Sequence, residues 1–173
     1  MISGVVVIGL CVLAAVLLWK PVRAWRRRRE AERGIRQFRL QREMLEARFF
    51  DIASHLGKPR DLRWVECDWL DAVTFGRDCK SGLLTAFVAV NIRFEAVEGG
   101  DMEGVAAVSN IRDAAAVFHY QFGRWGTGGR ALFNMNPTDA LVRLQGQYEP
   151  VTDVGASFAA TMPDAAIRKE RRE

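Results

Sequence analysis

Histidine and cysteine are scarce in this sequence, and that scarcity removes several kinds of chemistry. The two histidines, His55 and His119, and the three cysteines, Cys11, Cys67 and Cys79, offer no metal-ligand spacing and no disulfide framework. Three thiols suit a reducing cytoplasm, and Cys67 and Cys79, even if they face one another across a strand pair, are expected to stay reduced. Cys67 stands between Glu66 and Asp68, without the positive surroundings that turn a thiol into a nucleophile. Lysine is sparse beside arginine along the whole chain, at Arg60 and Arg143 as well as in clusters, so the choice of Arg reads as compositional bias. The composition implies no cofactor and no metal.

Long apolar runs are also missing, with one exception. Ile2 to Trp19 carries no formal charge, ends at Lys20, and is followed by Arg23 and the run Arg26, Arg27, Arg28, Arg29. As a helix these residues reach roughly 27 Å, close to the hydrocarbon thickness of a bilayer. A cleaved leader would carry positive charge before its apolar stretch and a small-x-small site after it. Here Trp19-Lys20-Pro21 follows instead. The expectation is therefore a single-pass anchor, residues 1 to 19, with Trp19 and Trp25 in the interfacial belt. Basic residues after the span place the amino terminus outside and the rest of the chain in the cytoplasm.

The net charge of +4 conceals a segregation. Residues 20 to 48 hold eleven Lys plus Arg against four Glu, whereas residues 49 to 173 hold fourteen against seventeen acids. A pI near 9.3 raises nucleic acid as a partner. The basic residues lie beside the span, however, where each gains about 1 kcal/mol from anionic headgroups. Lys20, Arg23 and Arg26 to Arg29 are thus candidate lipid contacts, and nucleic acid is not expected.

Pro21 fits the first turn of a new helix, so the anchor is expected to end or bend there. Val22 to Leu56 is rich in helix formers, with Gly34 the weak position at a cost of about 1 kcal/mol. Gly57, Pro59, His55 and Lys58 mark its end. Ile35, Phe38, Leu45, Phe49, Ile52 and Leu56 repeat with a period of seven, with Arg42 at the missing seam position. Either a second copy of the helix, in a homodimer through Ile35, Phe38 and Leu45, or the chain's own sheet could cover that stripe. The broad face from Phe49 to Leu56 favours the sheet. Residues 20 to 43 therefore read as a basic helical stalk and 44 to 149 as the globular domain.

Beyond Gly57 the period changes to that of strands. Leu62 to Trp69 and Ala72 to Arg77 are short segments, with Asp68 and Asp71 flanking an irregularity. Leu84 to Val97 alternates clearly, with Leu84, Ala86, Val88, Val90, Ile92, Phe94 and Ala96 on the core face and Thr85, Asn91, Arg93 and Glu95 opposite. Val105 to Ile111, Ala114 to Phe122 and Arg130 to Met135 continue an antiparallel meander. Asn136-Pro137 with Asp139 opens a last short helix carrying Leu141, Leu144 and Tyr148 inward. Residues 150 to 173 read as a flexible tail. The fold class is α+β: an N-terminal transmembrane helix, a long basic helix, a curved antiparallel sheet on its end and a short C-terminal helix.

One helix across a curved antiparallel sheet resembles the layout of cystatin-like and nuclear-transport-factor-2-like domains, the latter including small pocket enzymes and noncatalytic modules. The resemblance spans residues 44 to 148, rests on layout alone and brings no site residue with it. Within the chain, Gly126-Thr127-Gly128-Gly129 lacks the strand-before, helix-after setting of a phosphate loop, and Glu95, Glu98, Asp101 and Glu103 lack calcium-loop spacing. His119, between Phe118 and Tyr120, is the sole histidine candidate for acid-base work, with Asp68, Asp71 or Asp113 as possible partners. The sequence thus points to a membrane-anchored, noncatalytic cytoplasmic module that binds a protein partner or ligand. Its rival is a membrane-tethered pocket enzyme using His119 and a carboxylate.

Overall fold

A computed structural model describes the backbone of residues 2–56, 61–105 and 110–152, with side chains over 19–55, 61–105 and 110–152. Helix α1 runs from Ile2 to Leu56 through Pro21. The break expected at Pro21 is absent. Proline removes one i→i−4 hydrogen bond but holds its φ near the helical value, and helix formers on either side carry the helix through. At about 1.5 Å per residue α1 is a rod of roughly 80 Å. Among the described residues no helix is long and apolar enough to cross a membrane. The span expected from Ile2 to Trp19 falls, apart from Trp19, on side chains outside those described, as do the helix stop at Gly57 to Pro59 and the tail from 153 onward.

Among the described residues six strands follow in one antiparallel sheet: β1 Leu62–Asp78, β2 Leu84–Ala96, β3 Arg112–Gln121, β4 Arg124–Gly126, β5 Ala131–Phe133 and β6 Tyr148–Val151. The order is β4-β3-β2-β1-β6, and β5 continues the β4 edge by pairing with β3 at Ala114 to Ala116. The two short segments expected before Arg77 are one strand. Its register shifts between Trp64 and Glu66 and again between Trp69 and Val73, the second at the irregularity flanked by Asp68 and Asp71. Such bulges bend a strand and raise its twist, which curves the sheet.

The heptad stripe of α1 packs on this sheet. Ala31, Ile35, Phe38, Leu45, Phe49 and Ala53 are buried in one core with Phe75, Val88, Phe118 and Trp125. Phe38 meets Phe75, Phe118 and Trp125 edge-on, and Phe49 meets Trp64 and Trp69 the same way. Two expectations change as a result. Ile35, Phe38 and Leu45 are no more than 6% exposed inside their own domain, so they are not a free seam for a second copy. The domain also claims α1 from Ala31 onward, which shortens the stalk expected to run to residue 43. Arg42 interrupts the stripe because it lies beside the β1 bulge: its guanidinium donates to Leu70 O at 2.5 Å and to Glu46 at 2.6 Å.

The far face of the sheet carries a smaller core. Helix α2, Pro137–Arg143, is capped by Asn136, whose side chain accepts from the Asp139 N–H at 2.7 Å. Ala140, with Leu141 and Leu144, covers Phe87, Ala115 and Val117. That is why β2 is buried on both faces from Leu84 to Val90 and why Thr85, placed by its period on a wet face, is fully enclosed. Val105 and Ile111 lie outside any strand, residues 106–109 are outside those described, and β3 starts at Arg112. Strand β6 carries the sheet through Pro150 and Val151, two residues into the expected tail, with Pro150 opposite Gly76.

Candidate functional site

Arg77 continues the inward side of β1 beyond Val73 and Phe75, so its side chain passes beneath α1 and is nearly buried. A buried guanidinium needs partners for its donors. It gives one hydrogen bond to Gly82 O at 2.7 Å and another to Arg27 O of α1 at 3.1 Å, with Glu30 at 3.4 Å. These contacts tie the basic part of α1 to the sheet.

Between that part of α1 and β6 lies a groove of about 1010 Å³. Lys20, Arg23, Arg27 and Arg28 line it next to the apolar run, and Arg36 and Arg39 line it farther along. Arg77 stands in its wall, and among the described residues Glu32 and Glu149 are the acids that line it. Ala31, Ile35, Pro150 and Val151 supply apolar floor. Of the six candidate lipid contacts, Arg26 and Arg29 are not in the groove, and Arg29 stacks on Trp25 with its guanidinium carbon 4.1 Å from the ring centroid. The lining carries seven cations and two carboxylates, and two of the cations, Arg77 and Arg39, are already engaged within the chain.

His119 lies elsewhere, on the α2 side of the sheet. It is half-buried, and its Nδ1 is 3.2 Å from Thr85 Oγ1. Burial pushes its pKa below the ordinary value; Asp78 opposes that shift and Arg130 adds to it. None of the three carboxylates considered from sequence is its neighbour. Asp113 is six residues away along β3, about 20 Å, Asp68 pairs across with Asn91, and Asp71 is at the β1 bulge 3.9 Å from Arg42. The carboxylate near His119 is Asp78, which Ser81 and Lys80 N–H groups hold below its usual range. His119 does not line the groove.

No family model, curated protein or solved structure matches this chain.

The remaining sequence candidates have local structural roles. Thr127 donates to Val117 O and accepts from the Gly129 N–H, which ties the glycine loop to β3, and Gly129 lies against Ala53 of α1. Glu95 pairs with Arg63 at 2.8 Å, and Glu103 accepts from the Gly99 N–H. Among the described residues no group of His, Cys, Asp and Glu is arranged to hold a metal ion. Cys67 lies opposite Ile92 rather than opposite Cys79, which sits beyond the end of β1. Burial and Glu66 push its thiol up to about 12, so it stays protonated. His55 is exposed at the end of α1, with Nδ1 2.6 Å from Asp51 O. Sequence reasoning missed Arg77 and the β6 wall. The period-two spacing of Val73, Phe75 and Arg77 was a signal for the first, whereas a four-residue edge strand containing a proline has almost none.

Proposed function

We propose that this protein is a membrane-anchored, noncatalytic binding module, in which residues 2 to 19 span a bilayer and the α+β domain is held on the cytoplasmic side. The observation that carries the proposal is the continuity of α1. One unbroken helix links the apolar run, the basic turns and the domain core, and the cation-lined groove opens where the apolar run ends. Lys20 and Arg23, within about 6 Å of Trp19 along the axis, meet anionic headgroups. The helix-on-curved-sheet layout, like that of cystatin-like and nuclear-transport-factor-2-like domains, fits a scaffold that binds. The acid-base reading has less behind it, because His119 and Asp78 face away from the groove.

The test is extraction. The full chain should stay with membranes in alkaline carbonate and high salt, and a chain lacking residues 2 to 19 should move to the supernatant. Added protease should reach the domain only after the cells are opened. A truncated chain that still pellets in carbonate would rule out the anchor.

A further inference from the structure

We draw no further inference here: the strongest candidate, the tip of the β3–β4 hairpin, where Phe122 is 94% exposed at a φ of 51°, is an apolar surface patch, and nothing in the structure shows what covers it.

Discussion

At Gly34 α1 leaves no room for a side chain against the sheet. A Cβ there would sit 2.8 Å from Leu84 Cδ2 and 3.4 Å from the Tyr120 ring, and the Gly34 carbonyl accepts the Trp125 indole N–H at 2.7 Å. In an exposed helix Gly→Ala stabilises by about 1 kcal/mol. Here Leu84 is fully buried and cannot swing aside, so overpacking at about 1–3 kcal/mol outweighs that gain. Gly34→Ala should therefore lower the urea midpoint, and a rise would place the helix farther from the sheet. His119 makes a second prediction at this scale. Its pKa is lowered by burial, so the unfolded chain binds the proton more readily and stability falls as pH drops below about 6.5. Melting temperatures between pH 8 and pH 5 should show this loss in the wild type and less of it in His119→Gln, whose amide can still meet Thr85. Equal slopes in both proteins would mean that His119 is solvated.

Among the elements, β2 and β3 supply side chains to both cores. Val88 is fully buried, so Val88→Asp forces an unpaired carboxylate into the α1 core and should unfold the domain, a loss of several kcal/mol. Arg93 on the same strand only makes an exposed pair with Glu66 at 3.1 Å, and Arg93→Ala should cost less than about 1 kcal/mol. Circular dichroism melts of the two variants check the assignment of faces, which fails if they coincide. Phe49 joins α1 to the sheet through Trp64, Trp69 and Phe118, and Phe49→Ala should cost about 3–5 kcal/mol by opening a cavity there. The alternation of β2 was readable along the chain. The second layer was not, because Phe87, Ala115 and Val117 become one patch only when β2 and β3 pair and α2 folds back over them.

For the whole molecule, the question is how firmly the long helix is held to its domain. Every residue from 19 to 30 is exposed, and Arg77 is a buried side chain that bonds to this stretch. Arg77→Met keeps the apolar stem but removes the bonds to Gly82 O and Arg27 O, so it should cost about 1–3 kcal/mol and loosen the basic turns. Limited trypsinolysis reads the second effect. Cleavage among Arg26 to Arg29 should speed up relative to cleavage at Lys80, and an unchanged ratio would mean that the basic turns are held by something else.

Several features depend on local physics and could be read from sequence alone. Helix propensity from Val22 to Leu56, the apolar stripe with its period of seven, the strict alternation of β2 and the Asn136-Pro137 cap depend on neighbours a few residues away. The segregation of charge toward residues 20 to 48 is likewise a property of the chain itself. Other features required residues distant in sequence to meet. The stripe could have faced a second copy or a sheet, and that choice was made when Phe38 found Phe75, Phe118 and Trp125. Pairing register put Asp78 rather than Asp68, Asp71 or Asp113 near His119. The groove needed a helix turn, an arginine 50 residues later and an edge strand beyond both, because a cation-lined cleft belongs to packed surfaces rather than to any one segment.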